Sequence, residues 1–328
     1  MRSLAELTTL RVGGTPNSLV VATSESEIIE AVSANPNALI LGGGSNVLVS
    51  DNFHGDVIKI ESHGFENDES ACAGAWVTVA AGHNWNDFVA TAVANGWTGI
   101  EGLAGIPGTV GATPIQNVGA YGQSVSETIA QVRAWNRKTK SVDTIFAADC
   151  EFGYRTSVFK AKPDTWVILS VTFQLPLGTM SAPIAYNELA AKLKVELGDR
   201  VSTSDLQTAV LELRAGKGMV LDSTDHDTWS VGSFFMNPRV TTAPENAPHW
   251  PETDGTVKVS AAWLIEQAGL NKGFTLNGRA ALSGKHTLAI TNRGDATSAD
   301  ISELADHIVA GVKAKFDIEL KPEATFIN

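Results

Sequence analysis

The stretch GIPGTVGATPIQNVGAYG, residues 105–122, holds five glycines and two prolines but no charged side chain. A second glycine cluster, LGGGSNVLVS at residues 41–50, lies upstream and also follows an apolar run. Glycine leaves the backbone amides uncovered, so a phosphate group can approach them closely. Two such loops, each preceded by a predicted strand, favour a dinucleotide-binding fold. Two glycine-rich turns that merely pack against a sheet are the structural alternative.

Neither loop matches the common phosphate-binding motifs. In the upstream cluster, Val47 stands where the third glycine of a G-x-G-x-x-G fingerprint belongs, and no long helix is predicted after it. The Lys-Ser/Thr pair of a P-loop is also missing. In the second loop, glycine recurs at every third residue from Gly102 to Gly111, which keeps one side of the backbone free of side chains. The sequence therefore predicts a dinucleotide site of another class.

The composition indicates a globular protein whose ligands are small molecules. With 328 residues, the chain is long enough for two or three domains. Its 24 basic and 36 acidic residues give a formal net charge of −12, and no basic run is present, so we expect no nucleic-acid partner. Seven histidines occur without the spacing of metal ligands, and we expect no metal. No apolar run approaches the roughly 18–20 residues of a membrane helix, which argues against a membrane partner.

The cysteine count and the N-terminal sequence favour the cytoplasm. Cys72 and Cys150 are the only cysteines, and two thiols in a chain of this size suggest a reducing compartment rather than a disulfide framework. The N-terminal residues MRSLAELTTLRVGG lack the apolar core of a secretory signal peptide. We therefore expect a cytoplasmic protein with two free thiols.

Hydrophobic periodicity predicts a chain in which strands and helices are mixed. A helix capped by Ser24 or Ser26 and ending at Ala34 precedes strands on either side of the first glycine cluster. A second helix spans residues 84–95 and stops at Gly96. Further strands are expected in WVTVAAG, QVRAWN, SVDTIF, WVILSVTFQL and DIELK, and further helices in STSDLQTAVLELRAGK, SAAWLIEQAG and SADISELADHIVAGVKAKF.

Five strings occur in the order seen in one protein family: LGGGSNVLVS, GLAGIPGTVGATPIQNVGAYG, FGYRTSVFK, GSFFMNP and LKPEATFI. Over essentially its whole length the chain resembles the UDP-N-acetylenolpyruvoylglucosamine reductase (MurB) family, and its segment AYNEL resembles the type I subgroup. The resemblance implies an α+β fold. The architecture it implies is a three-domain flavoprotein with two FAD-binding domains of the vanillyl-alcohol-oxidase/PCMH type and a C-terminal MurB-type α+β substrate domain.

The expected domain boundaries fall at composition shifts. We place the first FAD-binding subdomain at residues 1–61, the second at 62–201 and the substrate-binding domain at 202–318. The C-terminal tail, residues 319–328, is expected to return near the active site. The resemblance also implies a monomer.

FAD is the cofactor that the resemblance implies, with NADPH as the co-substrate that reduces it. In the family, the glycine loops hold the pyrophosphate, and the tract PIQNVGAYG runs along the flavin, where amide side chains replace charge. The implied reaction is the reduction of UDP-N-acetylglucosamine enolpyruvate to UDP-N-acetylmuramate, a step of peptidoglycan biosynthesis. The implied cofactor-binding residues are Gly43, Gly44, Ser45, Asn46, Gly111, Ala112, Ile115 and Gln116.

Three residues match the family's catalytic positions. Ser233 in GSFFMNP matches the serine that donates a proton to the substrate carbanion, and a turn or capping serine is the alternative. Arg155 in GYRTSVFK matches the arginine beside the substrate carboxylate, where a guanidinium fork fits an enediolate; a surface ion pair is the alternative. Glu323 in PEATFI matches the glutamate that polarises this carboxylate together with Arg155, and a solvated acid near the terminus is the alternative.

Four further residues match the family's substrate pocket. Tyr186 in AYNEL and Lys217 in RAGKGMVLD match residues at the diphosphate of the nucleotide sugar, since a phenol hydroxyl and an ammonium group both suit phosphate. Asn237 and Gln267 match its amide residues. Met236 departs from the family pattern, in which a lysine is common. We expect the phosphate contact there to be weaker or to fall to Lys217.

Two rival functions stay open at this point. One is an oxygen-using oxidase or dehydrogenase of the related flavoprotein superfamily, which would need neither an acidic Ser233 nor Lys217 and Tyr186. Such enzymes often tether flavin through His or Cys, and neither glycine loop contains either residue. The other rival is a non-catalytic module that binds flavin or a UDP-sugar. Such a module would require none of Ser233, Arg155 and Glu323, which all occur in their matching motifs.

Overall fold

The computed structural model describes residues 2–328, which form two compact units. The sheet unit comprises residues 17–43 and 55–215, and the terminal unit comprises residues 2–16, 44–54 and 216–328. Each unit has its own buried apolar core. The three predicted domains do not map one-to-one onto these units, and their boundaries stay predictions.

Short strands and helices are mixed along the chain. The strands are β1 (Ser18–Ala22), β2 (Leu39–Leu41), β3 (Val47–Val49), β4 (Asp56–Ile60), β5 (Phe65–Ser70), β6 (Gly74–Ala80), β7 (Gly119–Ala120), β8 (Gln123–Ser124), β9 (Ile129–Asn136), β10 (Ser141–Phe146), β11 (Trp166–Leu175), β12 (Arg239–Val240), β13 (His249–Pro251), β14 (Val257–Val259), β15 (Ala280–Leu282), β16 (Ile290–Asn292) and β17 (Thr325–Ile327). The α-helices are α1 (Glu25–Ala34), α2 (Trp85–Ala94), α3 (Val158–Ala161), α4 (Asn187–Leu193), α5 (Thr203–Gly216), α6 (Ala261–Gln267) and α7 (Ser298–Phe316). None of the helices in residues 2–328 combines the length and the apolar composition of a membrane span.

The sheet unit begins with a three-stranded parallel sheet in the order β1, β4, β2. Helix α1 packs beside it and buries Ile28 and Val32, which lie four residues apart on one helix face. The side chain of Ser24 accepts a hydrogen bond from the Glu27 amide and caps the helix, as the sequence predicts. The first glycine loop leaves the carboxyl end of β2, which is an edge strand of this sheet.

A five-stranded antiparallel sheet in the order β10, β9, β11, β6, β5 forms most of the rest of the unit. Strand β11 pairs with β9 on one side and β6 on the other and is buried along nearly its whole length. The rings of Trp85 and Phe88 on α2 lie 5.9 and 5.1 Å from that of Phe173 on β11. The Trp85 indole also donates to the Leu103 carbonyl at 3.0 Å, which ties α2 to the start of the second glycine loop.

The core of the terminal unit is built around α6 and α7. A capping box between Thr297 and Asp300 closes the first turn of α7. The predicted final helix is confirmed, and its apolar stripe faces the core because residues three and four apart share a helix face. The stripe consists of Ile301, Leu304, Ala305, Ile308 and Val312.

The C-terminal tail departs from the sequence prediction. The predicted strand DIELK is wrong, because Asp317 ends α7 in the left-handed conformation with φ of 56° and residues 318–321 form no strand. The chain instead forms β17, which pairs in parallel with β3. A strand needs a pairing partner as well as local alternation, and the partner β3 lies beside β17.

Candidate functional site

The two glycine loops meet inside the sheet unit. A Cβ atom added to Gly43 would lie 2.6 Å from the Cα of Gly108, and one added to Gly42 would lie 2.6 Å from the hydroxyl oxygen of Thr109. Real Cβ atoms do not come this close, so only glycine fits at this contact. Backbone packing between the loops therefore accounts for part of their glycine content.

The middle of the second loop lies against the end of β6. A Cβ atom on Gly111 would lie 2.6 Å from that of Ala81, and the Gly111 amide donates to the Ala81 carbonyl at 2.8 Å. Beyond it, Ala112 and Gln116 are half-buried, and the apolar side chain of Ile115 is exposed. An exposed apolar side chain and a half-buried amide side chain fit the uncharged rings of FAD.

Three hydrogen bonds from side chains to backbone carbonyls join the second glycine loop to the motif FGYRTSVFK. They bring the predicted catalytic residue Arg155 beside the loop that carries the predicted cofactor residues Ile115 and Gln116. The bonds run from Ser157 Oγ to Ile115 O (2.6 Å), from Arg155 Nη2 to Gly119 O (2.8 Å) and from Asn117 Nδ2 to Gly153 O (3.1 Å).

Three non-glycine residues adopt left-handed backbone conformations here. The φ angles are 56° at Arg155, 46° at Asn117 and 49° at Tyr121. For a side chain larger than asparagine this conformation costs about 1 kcal/mol or more, and such strain concentrates at functional sites. The Asn117 side chain also accepts from the Ser126 amide, so both ends of its amide group hold the loop in shape.

Tyr186 lies against the hairpin formed by β7 and β8. It directly precedes α4, and half of its surface is exposed. Its ring centroid is 6.1 Å from that of Tyr121, and the two rings are tilted by 59°. A Cβ atom on Gly122 would make an ordinary contact with the Tyr186 ring at 3.7 Å. The residue predicted to contact the diphosphate is therefore placed at the turn of this hairpin.

Two residues, Tyr121 in this hairpin and Arg214, received no assignment from the sequence. Arg214 on α5 is buried; this burial lowers the pKa of its guanidinium to about 10, and the neighbouring Tyr121 opposes the shift. Burial raises the pKa of the Tyr121 phenol, and the charge of Arg214 opposes that shift. The available signals were a lone tyrosine in a glycine tract and an arginine three residues before Lys217.

In the terminal unit, the C-terminal tail pairs with the segment that follows Ser233. The Glu323 amide donates to the Phe234 carbonyl at 2.8 Å, and the Met236 amide donates to the Lys321 carbonyl at 3.0 Å. Ser233 and Glu323 are both half-buried. The structure thus brings the motif PEATFI beside the motif GSFFMNP.

Proline suits the centre of this pairing. Pro322 lies opposite Phe235 in an antiparallel bridge, at a position where the neighbouring residues supply the hydrogen bonds. The missing N–H of Pro322 therefore leaves no bond of this pairing unmade. Phe235 is buried in the core of the terminal unit and anchors the pairing there.

Asn46 joins the same cluster. Its side-chain amide donates to the Glu323 carbonyl at 3.4 Å, so a predicted cofactor residue lies beside a predicted catalytic residue. Ser45, the residue before it, is half-buried. Gly44 has φ of 63°, and a Cβ atom there would lie 2.2 Å from the Leu7 carbonyl oxygen, so this position requires glycine.

The predicted substrate residues of the terminal unit are spread out. Asn237 accepts a hydrogen bond from the Ala261 amide at 2.9 Å and holds the first turn of α6. Gln267 is exposed at the last residue of α6, about 9 Å along the helix axis from Ala261 at 1.5 Å per residue. Its backbone carbonyl accepts from the Lys315 ammonium. The structure does not bring Asn237 and Gln267 together. Lys217 is half-buried directly after α5.

Two surface clefts lie elsewhere in the sheet unit. One, of about 450 Å³, is next to the turn between β5 and β6, and the other, of about 600 Å³, lies beside Asp143 and Trp166. None of the predicted site residues lines either cleft.

Comparison with known proteins identifies two domains and close relatives. The FAD binding domain family matches residues 16–144, and the UDP-N-acetylenolpyruvoylglucosamine reductase C-terminal domain family matches residues 223–327. A UDP-N-acetylenolpyruvoylglucosamine reductase from Cutibacterium acnes is 52% identical, with 99% of this chain and 89% of that protein covered. The reductase of the same name from Salinispora arenicola is 48% identical, with 99% and 94% covered.

A solved structure agrees in fold. The crystal structure of UDP-N-acetylenolpyruvylglucosamine reductase (MurB) from Thermus caldophilus matches with a TM-score of 0.68 at 24% identity, and the match covers 100% of this chain and 98% of that chain. At this identity the similarity shows the fold alone. Together with the two domain matches, it confirms the predicted fold class. Because its curated relatives are about half identical over 99% of the sequence, the chain belongs to the UDP-N-acetylenolpyruvoylglucosamine reductase family.

Proposed function

We propose that this chain reduces UDP-N-acetylglucosamine enolpyruvate to UDP-N-acetylmuramate, with NADPH as the electron donor and Ser233 as the proton donor. Family membership makes the chain an oxidoreductase of peptidoglycan synthesis with FAD as its cofactor. The observation that supports the proposed chemistry is the pairing of the tail in the terminal unit. There the Glu323 amide donates to the carbonyl of Phe234, the residue after Ser233.

The chemistry of the reaction determines which chemical groups the protein must supply. Reduction of the enolpyruvyl ether adds a hydride to one alkene carbon and a proton to the other. FAD, when bound, supplies the hydride. Negative charge then spreads onto the substrate carboxylate as an enediolate, so the protein needs an acid near the carbon and polarising groups near the oxygens.

Ser233 is the proposed acid. An alcohol is ordinarily a weak acid, but an enediolate carbon is basic enough to accept its proton when the two are held in position. Hydrogen bonds hold the backbone after this serine, because the Phe234 amide donates to the Leu288 carbonyl at 2.7 Å. Gly232 precedes it with φ of 75°, a conformation that allows the sharp bend there.

Arg155 and Glu323 are the proposed partners of the substrate carboxylate. The guanidinium stays charged and offers several N–H donors in one plane, which suits the two oxygens of an enediolate. One of its nitrogens already donates to the Gly119 carbonyl, and this bond orients the rest of the fork. Glu323 acts with Arg155 to polarise the carboxylate as electrons arrive.

Tyr186 and Lys217 are the proposed ligands of the diphosphate. Half of the Tyr186 surface is exposed, so the residue can contact a ligand without first leaving a core. An ammonium group is a compact point charge that suits phosphate. Asn237 and Gln267 are proposed as the amide residues of the nucleotide-sugar site.

The predicted cofactor residues are proposed to hold FAD. The support lies in the glycines, because a side chain at Gly43, Gly44 or Gly111 would collide with backbone atoms that already lie there. Glycine at these positions keeps side chains away from the backbone, as the close approach of a pyrophosphate requires. The set is Gly43, Gly44, Ser45, Asn46, Gly111, Ala112, Ile115 and Gln116.

Replacing Ser233 with alanine tests the assignment of the acid. In Ser233→Ala we expect NADPH to reduce the flavin at a rate within about twofold of wild type, because that half-reaction uses no proton from the serine. Reduction of the enolpyruvyl sugar should fall by at least about 10²-fold. Stopped-flow absorbance under anaerobic conditions measures both half-reactions.

Ser302→Ala is the matched control, since this serine lies on α7 and its hydroxyl only donates to the Ser298 carbonyl. It should leave both half-reactions unchanged. Sugar turnover at the wild-type rate in Ser233→Ala would remove the serine from the acid role. Equal loss of both half-reactions would also contradict it, because a proton donor to the sugar acts in one half-reaction alone.

We also infer that the enzyme works as a cytoplasmic monomer that binds only small molecules. Both cysteines are free thiols, one exposed and one buried, which agrees with a reducing compartment. Sedimentation equilibrium should give a mass near 34.6 kDa. A concentration-dependent mass of twice that value would contradict the monomer.

A further inference from the structure

Ser233 lies in a short segment whose two ends are held by hydrogen bonds. On one side, the Ser230 carbonyl accepts a hydrogen bond from the Thr9 hydroxyl at 2.6 Å. On the other side, the Phe234 carbonyl accepts a hydrogen bond from the Glu323 amide at 2.8 Å. The placement of Ser233 therefore depends on residues that are distant from it in the sequence.

The backbone between Ser230 and Ser233 forms a tight bend rather than a loose linker. The Gly232 amide donates to the Ser230 hydroxyl at 3.1 Å, and Gly232 is left-handed with φ of 75°. Ser230 itself is buried, with 5% of its surface exposed. Because so few bonds separate the two serines, a shift of the Ser230 carbonyl would carry the Ser233 side chain with it.

The N-terminal segment packs against the start of this bend at a second point. The guanidinium carbon of Arg11 lies 3.8 Å from the centroid of the Trp229 ring, which is a close cation–π contact. The side-chain amide of Asn292 donates to the Arg11 carbonyl at 3.1 Å, and its backbone amide donates to the Trp229 carbonyl at 3.0 Å. Residues 9–11 and 229–230 are therefore joined by backbone and side-chain contacts within the terminal unit.

Thr9 also contacts the first glycine loop. Its backbone amide donates to the Gly44 carbonyl at 3.1 Å. Two residues further along that loop, the Asn46 side chain donates to the Glu323 carbonyl at 3.4 Å. The loop is thus connected to both ends of the segment that carries the serine, through Thr9 at one end and through Glu323 at the other.

We propose that Thr9 is a positioning residue, whose amide and hydroxyl link the first glycine loop to the segment that presents Ser233. The proposal rests on the proposed function, in which residues 44–46 hold FAD and Ser233 donates the proton. A diphosphate bound at the loop restricts the Gly44 carbonyl and, through Thr9, the serine hydroxyl. Thr9 acts through Ser233 rather than on the reacting atoms.

Replacing Thr9 with valine separates its two links. The single hydroxyl proton of Thr9 is directed to Ser230, since its oxygen lies further from the Gly44 carbonyl, at 3.5 Å. Thr9→Val keeps the shape of the side chain and the amide bond to Gly44 but removes the donor to Ser230. Thr9→Ser keeps that donor and loses only a methyl group.

The first experiment follows the two half-reactions by anaerobic stopped-flow absorbance. In Thr9→Val we expect the enolpyruvyl sugar to reoxidise the flavin at least about tenfold more slowly, because a small displacement of a reacting group is costly. Flavin reduction by NADPH should stay within about twofold of wild type, since it uses no proton from the serine. Thr9→Ser should return the sugar half-reaction to within about threefold of wild type.

Thr275→Val is the matched control, because the Thr275 hydroxyl also donates to a backbone carbonyl, that of Ala280, at 2.6 Å in the same unit. It should leave both half-reactions unchanged. A wild-type sugar half-reaction in Thr9→Val, or equal losses in both half-reactions, would overturn the proposal. A Thr9→Ser variant as slow as Thr9→Val would overturn it as well, because the hydroxyl would then not be the group that matters.

The second experiment measures the link without turnover. Hydrogen exchange followed by mass spectrometry compares peptides spanning residues 229–234 in the full chain with FAD bound and after FAD has been removed. We expect FAD to slow exchange there at least about fivefold in wild type and in Thr275→Val, but less than about twofold in Thr9→Val. Equal slowing in wild type and in Thr9→Val would overturn the proposal.

Failures of folding and of function remain distinguishable. We expect Thr9→Val to lower the melting temperature by less than about 4 °C, since one hydrogen bond is lost. A larger decrease together with loss of FAD would mean that the role of Thr9 is structural, and the proposal would fail. If wild-type protein does not reduce the nucleotide sugar, the proposed function fails, while hydrogen exchange still decides whether Thr9 links the loop to this segment.

Discussion

His83 is a single residue through which the stability of the fold depends on pH. The Gly64 amide donates to its Nδ1 atom at 3.2 Å, so that nitrogen must carry no proton. Burial lowers the pKa of the His83 ring below its ordinary value of 6.5, nearby His63 lowers it further, and Asp87 opposes both. The folded state therefore favours the neutral ring.

The direction of the pH dependence of stability follows from the preference of the folded state for the neutral His83 ring. The stability that His83 contributes is complete above the unfolded-state pKa of 6.5 and is lost as pH falls from there through the lower folded-state value. We expect the free energy of unfolding to decline from pH 7.5 to 5.5, and we expect His83→Gln to weaken that decline by less than about 1 kcal/mol, because the ring is partly exposed. Glutamine can still accept from Gly64 but does not titrate.

Urea denaturation at several pH values measures the decline. The control His54→Gln removes an exposed histidine and should leave the pH dependence as in wild type. A decline of the same size in wild type and in His83→Gln would contradict this account of the His83–Gly64 hydrogen bond.

At the scale of elements, the contact between the two glycine loops is the feature that the proposed cofactor site depends on. A methyl group at Gly43 would lie 2.6 Å from the Cα of Gly108, and backbone cannot move aside as a flexible side chain can. We expect Gly43→Ala to separate the loops, to lower the flavin content of purified protein at least fivefold and to reduce the melting temperature. The absorbance ratio at 450 and 280 nm measures the flavin content.

Gly216→Ala is the matched control, since a methyl group at this last residue of α5 would meet open space. This control should keep wild-type flavin content and a wild-type or higher melting temperature, because alanine favours helix. Wild-type flavin content in Gly43→Ala would show that the loop contact does not support the cofactor.

The local sequence pattern predicts those elements that their own residues specify without a distant partner. Helix α7 was predictable because its apolar stripe and its cap at Thr297 lie within 19 residues and specify a helix without outside help. The strand predicted in DIELK failed because a strand also needs a neighbour, and the chain pairs β17 with the distant β3 instead. The local sequence pattern likewise could not predict the contact of Gly43 with Gly108, although the two glycine clusters could be recognised in the sequence.

The same limit applies to the site. Ser233, Arg155 and Glu323 could be selected from short motifs, and the pairing beside Phe234 brings the first and the third of them together in one unit. Their roles stay predictions. Arg214 could not be selected, because an arginine on a helix is usually solvated, and only the packing of α5 shows that this one is buried.

At the scale of the whole molecule, an acidic chain must bind anionic substrates. The net charge of −12 repels NADPH and the nucleotide sugar at long range, so attraction must come from individual cations close to the phosphates. We expect Lys217→Met to raise KM for the nucleotide sugar at least tenfold, a loss of about 1.4 kcal/mol in binding. Steady-state kinetics at fixed ionic strength measure the change.

Lys138→Met changes the net charge by the same amount at an exposed position and serves as the control. It should change KM by less than about twofold, because salt screens a distant charge. Equal effects of the two substitutions would mean that net charge, rather than a contact at Lys217, governs binding.

We propose that electrons pass from NADPH through FAD to the enolpyruvyl sugar on this one protein. The most direct test mixes purified protein with NADPH in the absence of oxygen and then adds UDP-N-acetylglucosamine enolpyruvate. We predict that NADPH bleaches the flavin absorbance and that the sugar restores it with formation of UDP-N-acetylmuramate. Restoration by oxygen alone, or the absence of a flavin that binds to the protein, would contradict the account.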